Sequence, residues 1–105
     1  MKYARLKKQA DFQKLFSSAK RGFSSSITLL YRPYSRMRMG ISIGKKHGKA
    51  VQRNRIKRLL REAFRAVQGE MKGKYSIVLV PKVKDEYSFW KFKEDLQWII
   101  RKEKL

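Results

Sequence analysis

From Phe12 to Arg61 the chain carries fourteen Lys and Arg residues and not one Asp or Glu. Like charges repel, so a folded domain that gathers cations this way is under electrostatic strain until a polyanion neutralises them. In and beyond the densest stretch, Lys45 to Arg61, the apolar residues Ile56, Leu59, Leu60, Ala63, Phe64 and Val67 recur at helical spacing. The spacing predicts one long helix over 49–68, its apolar stripe held against a core and Gly69 placed to end it. The cations are then fixed on a rigid surface, which suits a polyanion of defined shape. Nucleic acid is the first candidate.

At about 100° per residue, Asn54, Arg58, Arg61 and Arg65 oppose the apolar stripe, Arg55 and Lys57 flank it, and Lys49 and Arg53 lie nearer the apolar side in the first turn. An ordinary solvated face mixes signs, because Glu–Lys pairs one turn apart stabilise a helix and like-charged pairs do not. Here Glu62 is the single acid on the helix. Cations at a helix N-terminus also oppose its dipole, so Lys49 and Arg53 are locally unfavourable. Five Arg stand against two Lys between 49 and 65, and the planar guanidinium binds phosphate at two points and stacks on bases, which suits folded RNA.

The asymmetry extends to the whole chain. Its 105 residues carry a formal charge of +20, yet residues 85–105 hold five basic and five acidic groups. The entire excess precedes Asp85, and the last segment reads as a neutral structural brace. With 42% hydrophobic and 12% aromatic residues the chain has the core formers that a disordered basic tail lacks. One domain spanning 1–105 is expected, with residues 1–9 as a mobile basic arm. There is no cysteine, which removes disulfides, thiolate metal sites and thiol nucleophiles. No apolar run approaches a membrane span, and the first residues lack the apolar centre of a signal peptide, so a cytoplasmic location without membrane contact is expected.

A short helix is predicted over 10–17, with Phe12, Leu15 and Phe16 on one face. Residues 23–32 and 36–43 read as two strands joined by a tight turn at Pro33-Tyr34-Ser35, Ile27, Leu29 and Tyr31 alternating with Thr28 and Leu30 in the first. Tyr75 to Pro81 holds the run Ile77-Val78-Leu79-Val80, apolar enough for burial on both faces. A last helix over 87–102 follows, with Asp85 and Glu86 favouring its start. The order α-β-β-α-β-α gives an α+β fold, a small mixed sheet backed by helices.

Gly44-Lys45-Lys46-His47-Gly48-Lys49-Ala50 superficially matches a nucleotide-binding loop. It has three residues between its glycines where that loop needs four, and Ala50 where Ser or Thr belongs, so it supports phosphate contact only. His47 is the one histidine, which rules out two-histidine RNA cleavage within the chain, and the spacing of the carboxylates suggests no metal site. The residues describe a binder of nucleic acid without a catalytic group or protein-bound metal. Phe12, Phe16 and Tyr31 alternate with Lys14 and Arg32, a pattern that suits single-stranded RNA; at helical spacing Phe12 and Phe16 equally suit docking of the first helix on the sheet.

The stretch Lys49-Ala50-Val51-Gln52-Arg53-Asn54-Arg55-Ile56-Lys57-Arg58-Leu59-Leu60-Arg61-Glu62 resembles the signature of the protein subunits of bacterial ribonuclease P. The resemblance continues in Asp11-Phe12-Gln13-Lys14-Leu15-Phe16, in Gly40-Ile41-Ser42-Ile43-Gly44-Lys45-Lys46 and in Tyr75-Ser76-Ile77-Val78. It implies an α-β-β-α-β-α sandwich with a left-handed βαβ crossover at the basic helix. It implies binding to a catalytic RNA, one protein per RNA, in an enzyme that removes the 5′ leader of precursor tRNA, the RNA performing the chemistry with Mg2+ that it mainly binds itself. Arg53, Asn54, Arg55, Lys57, Arg58 and Arg61 would face that RNA, with Lys45, Lys46, Lys49 and Arg65 extending the surface. Phe12 and Phe16 would line the leader cleft together with a residue of the first strand, Tyr31 or, by the other alignment, Leu30. His47 departs from the aliphatic or aromatic residue usual in the family. A structural RNA binder such as a ribosomal protein, a DNA-compacting protein and a protein nuclease are the rival readings.

Overall fold

The apolar run Tyr75–Pro81 forms β5, the middle strand of a five-stranded mixed sheet in the order β1-β4-β5-β3-β2. The computed structural model describes residues 3–105. Ile77, Val78 and Leu79 are fully buried, as a strand covered on both faces requires. β3 (Ile27–Pro33) pairs antiparallel with one edge of β5 and β4 (Arg38–Ile41) pairs parallel with the other. The outer strands are β2 (Lys20–Phe23), antiparallel to β3, and β1 (Ala4–Arg5), parallel to β4. Helices α1 (Gln9–Ser18), α2 (Ala50–Val67) and α3 (Phe89–Lys102) complete the fold.

Period-two alternation sorts the side chains between two layers. Ile27, Leu29, Tyr31, Met39, Ile77 and Leu79 pack with the buried stripes of α2 and α3, Leu60, Phe64, Phe92 and Leu96 among them. Leu30 and Val78 face the other way and pack with Leu6 and Leu15 beneath α1. α2 is the crossover between the parallel neighbours β4 and β5. The expected α-β-β-α-β-α order is present as α1, β3, β4, α2, β5 and α3, with two edge strands added to it.

Three expectations are corrected. The strands read over 23–32 and 36–43 are not partners, because β5 inserts between β3 and β4; the hairpin lies earlier, β2 to β3 through Ser24-Ser25-Ser26. That turn is fixed from α3: Asp95, 5% exposed, accepts from Ser25 Oγ at 3.2 Å, from the Ser26 amide at 3.1 Å and from Ser26 Oγ. The mobile arm expected over 1–9 is, from Tyr3 onward, part of the fold. Ala4 and Leu6 donate backbone hydrogen bonds to Met37 and Met39, Tyr3 and Leu6 are each 6% exposed, and the Tyr3 ring stands edge-on to Phe64 at 5.1 Å. Met1 and Lys2 lie outside the described residues.

Asp85 and Glu86 do not start α3, which has no acid in its first turn; Ser88 caps it, Oγ accepting from the Lys91 amide at 3.1 Å. The Gly44–Lys49 loop is held by His47, which is 8% exposed. The Gly44 N–H donates to His47 Nδ1 at 3.1 Å, leaving Nε2–H to donate to the Pro81 carbonyl at 2.7 Å. An aliphatic or phenyl side chain makes neither bond.

Candidate nucleic-acid interface

α2 buries Ile56, Leu60, Ala63, Phe64 and Val67, and that stripe fixes where every polar side chain on the helix points. Asn54, Arg55, Arg58 and Arg65 are exposed, as are Lys45, Lys46 and Lys49 just before the helix. Arg53, Lys57 and Arg61 are half-buried. The N-terminus has no acid in its first turn; its one side-chain contact is Gln52 Oε1 accepting from the Lys49 amide at 2.9 Å. Arg53 Nε is buried without a hydrogen-bond partner, a costly arrangement for a charged group. Of the ten basic and amide residues expected to bind RNA, seven are therefore exposed and three half-buried.

The two flanks of this surface differ. Lys46 and Arg55 line a cleft of about 640 Å³ whose far wall is the β5–α3 loop, with Val83, Asp85, Glu86 and Tyr87. Those two acids are the sequence-remote carboxylates that folding brings to the basic helix. On the other flank Lys57 and Arg61 line a cavity of about 180 Å³ with Arg5, Leu6, Phe12, Gly40 and Ile41. Burial, and after it the nearby charge of Arg5, lower the pKa of Arg61. Sequence reading missed Arg5 by placing it in an arm; the flanking apolar Tyr3 and Leu6 were the signal that the segment docks.

The small cavity connects the basic helix to the α1 face of the sheet. α1 seats Leu15 on Leu30 and Val78 and is tethered on one flank by Asp11, which accepts from Arg38 Nη1 at 3.3 Å while Arg38 Nε donates to Ser76 Oγ at 3.0 Å. At about 100° per residue, Phe12 and Phe16 project from the opposite flank. Phe12 is half-buried over Gly40, where an added Cβ would meet its Cζ at 2.5 Å, and Phe16 is 40% exposed. Phe12 thus docks α1 on the sheet while lining the small cavity, and the Phe16 side chain is left partly exposed.

Tyr31 is corrected. It lies on the opposite face of the sheet, 7% exposed within the α2–α3 core, and its hydroxyl is bonded to Glu103. The β3 residue on the α1 face is Leu30, itself 1% exposed beneath Leu15. Strand alternation admits no other outcome, since Tyr31 shares its side with Ile27 and Leu29.

Among the described residues no three His, Cys, Asp or Glu side chains are grouped to hold a metal ion, and no helix is long and apolar enough to cross a membrane. Several carboxylates have structural partners: Asp11 with Arg38, Asp95 with the serine turn, Glu103 with Tyr31 and Glu70 with Gln97.

Comparison with known proteins gives this surface its context. The family model described as Ribonuclease P matches residues 1–104. The ribonuclease P protein component of Bacillus velezensis is 40% identical over 107 residues, covering 96% of this chain and 90% of the relative. That of Caldanaerobacter subterraneus is 36% identical over 104 residues, with the same coverage of 96% and 90%. Among solved structures, the RNase P protein from Thermotoga maritima superposes with a TM-score of 0.81 at 31% identity, covering 92% of this chain and 96% of that one. The Staphylococcus aureus RNase P protein gives 0.81 at 28% identity, covering 95% and 94%. With residues 1–104 matched by the family model and a relative 40% identical over 96% of the chain, the chain belongs to the ribonuclease P protein family.

Proposed function

We propose that this chain works as the protein subunit of a cytoplasmic ribonuclease P ribonucleoprotein, one protein per RNA. It binds the catalytic RNA through Lys45, Lys46, Lys49 and the α2 residues Arg53, Asn54, Arg55, Lys57, Arg58, Arg61 and Arg65. It binds the 5′ leader of precursor tRNA in the groove beside Phe12 and Phe16, and so promotes removal of the leader. The observation that carries this reading is the cavity where Lys57 and Arg61 of α2 meet Phe12 of α1 and Gly40 of the sheet. A phosphate chain leaving the basic helix reaches an aromatic groove there without crossing a carboxylate. Positive charge on both surfaces would screen repulsion between two RNAs and reduce the metal ion needed to hold them together.

The reaction itself is assigned to the RNA subunit. The one histidine has both ring nitrogens engaged in holding a loop, which supports this assignment, and the proposal has Mg2+ bound mainly by the RNA.

The test is cleavage of a leader-bearing precursor tRNA at low magnesium by ribonuclease P RNA alone, by the protein alone and by both. Cleavage at low magnesium only with both supports the assignment. Cleavage by the purified protein alone identifies a nuclease, and tight binding without enhancement points to a structural RNA binder. About six to ten phosphate contacts give a log–log salt slope of about −5 to −9, and a slope shallower than about −2 counts against the proposed surface. Duplex DNA bound as tightly as structured RNA would favour a DNA-compacting role.

A further inference from the structure

We propose that Phe23 is a third aromatic platform for single-stranded RNA, carrying the groove past Phe12 and Phe16 to the outer edge of the sheet; this rests on the reading of that groove as the leader site. Burial does not account for Phe23. In β2 the core-facing residue is Gly22, whose Cα lies so close to α3 that an added Cβ would meet Ile99 Cγ2 at 2.6 Å. Phe23 points to the other face and is 55% exposed.

Strand register places it on the α1 side of the sheet. Phe23 is opposite Thr28 and Thr28 is opposite Val80. The three form a row beside the one containing Arg21, Leu30, Val78 and Gly40, which α1 covers. Arg38 and Ser76, to which Asp11 tethers α1, lie on the far side of that covered row. Phe12 and Phe16 therefore lean toward Thr28 and Val80, both only half-buried. The result is a groove with aromatic side chains along one wall, an uncharged floor and Phe23 at its outer end.

The charges beside it favour one occupant. Arg21 is held against Phe16, Nη2 donating to its carbonyl at 3.1 Å, on the same strand face as Phe23. Lys82 Nζ donates to the Ser24 carbonyl at 2.6 Å, next to Phe23 in sequence. No acid occurs from Phe12 to Arg61, so none stands on β2, β3 or β4. Aromatic faces interleaved with fixed cations suit single-stranded RNA, in which bases stack and phosphates meet the cations. From Phe12, over Gly40 on β4, to Phe23 on β2 is three strand spacings, about 14 Å. A leader must continue beyond Phe12 and Phe16 to reach Phe23, so its contribution depends on leader length.

The experiment measures affinity of the holoenzyme, ribonuclease P RNA with wild-type or variant protein, for precursor tRNAs whose leaders shorten one nucleotide at a time. Phe23→Ala should weaken binding about five- to tenfold for long leaders and leave the shortest unchanged, whereas Phe16→Ala weakens binding down to shorter lengths. Phe23→Trp should restore the loss, and a photoreactive base near the 5′ end of a long leader should cross-link to wild type but not to Phe23→Ala. Equal affinity of Phe23→Ala and wild type for long leaders, with Phe16→Ala still impaired, overturns the platform while leaving the groove intact. An equal loss at every leader length also overturns it. If neither phenylalanine matters at any length, the underlying reading of the groove fails with it.

Discussion

The Tyr31 hydroxyl donates to Glu103 Oε1 at 2.6 Å, joining the middle of β3 to the residue that ends α3. The Tyr31 ring also meets Tyr75 edge-on at 5.8 Å. Burial first, and the hydrogen bond to Glu103 second, raise the Tyr31 pKa to about 12. Tyr31→Phe keeps the packing and leaves a carboxylate oxygen without its donor, an expected loss of about 1–2 kcal/mol in urea denaturation. Leader affinity should not change, because the residue lies on the face away from α1.

The same pair sets an alkaline dependence. Below pH 10 the folded and unfolded chains both hold the phenol proton and the contribution of Tyr31 is complete. Between 10 and about 12 the unfolded chain releases that proton and the folded chain retains it, so the unfolded state binds fewer protons and stability falls as pH rises. Tyr31→Phe should lack this component. Urea midpoints of both proteins at stepped pH would show their stability difference shrinking across that window.

Gly40 marks where the sheet allows α1 to approach. An added Cβ would stand 2.5 Å from Phe12 Cζ and 2.9 Å from Leu6 Cβ, contacts that the buried Leu6 cannot easily relieve. Gly40→Ala should cost about 1–3 kcal/mol by overpacking and should weaken leader binding as the Phe12 ring is displaced. Adding Phe12→Ala should restore part of the stability and none of the leader affinity. That non-additivity, measured by denaturation and by binding in parallel, separates the packing role of Phe12 from its ligand role.

Where local pattern decides structure, the sequence was readable. α2, α3 and β5 were expected within two residues of where they lie, because long apolar stripes and a four-residue apolar run admit few alternatives. The α2 cations were legible for the same reason: once Ile56, Leu60 and Phe64 are buried, Arg58 and Arg65 have to point outward. Strand order was not legible, since the insertion of β5 between β3 and β4 is a long-range pairing without a local signature. Arg5 was hidden because a two-residue strand has no periodicity of its own. Tyr31 was grouped with Phe12 and Phe16 because it is aromatic and next to Arg32, and the resemblance left it open against Leu30, although period-two alternation had already put it with Ile27 and Leu29.

His47 replaces side-chain packing with hydrogen bonds at the loop that presents Lys45 and Lys46. Its bonds to the Gly44 amide and the Pro81 carbonyl fix the loop to the end of β5. His47→Phe fills similar space and leaves both backbone groups unpaired in a site only 8% exposed, an expected loss of about 1–3 kcal/mol. RNA affinity should fall with the salt slope little changed, because the lysines keep their charge and lose their fixed placement. Unchanged affinity would show that Lys45 and Lys46 bind equally well from a loosened loop.

Arg5 and Arg61 bring two positive charges together at the cavity between α2 and the sheet edge, and burial together with the Arg5 charge disfavours the protonated form of Arg61. In the free protein the pair is repulsive; with a phosphate between them both charges are satisfied. Arg5→Gln should therefore raise the Tm of the free protein at low salt, a gain that shrinks as salt screens the repulsion. The same substitution should weaken holoenzyme assembly or leader binding and make the log–log salt slope shallower by about one. Arg61→Gln should reproduce the weaker binding and the shallower slope, and the double variant should lose little more than either alone if one phosphate bridges both. Two independent phosphate contacts would instead give a slope change of about two in the double variant, so the salt titration distinguishes a shared anion from separate ones.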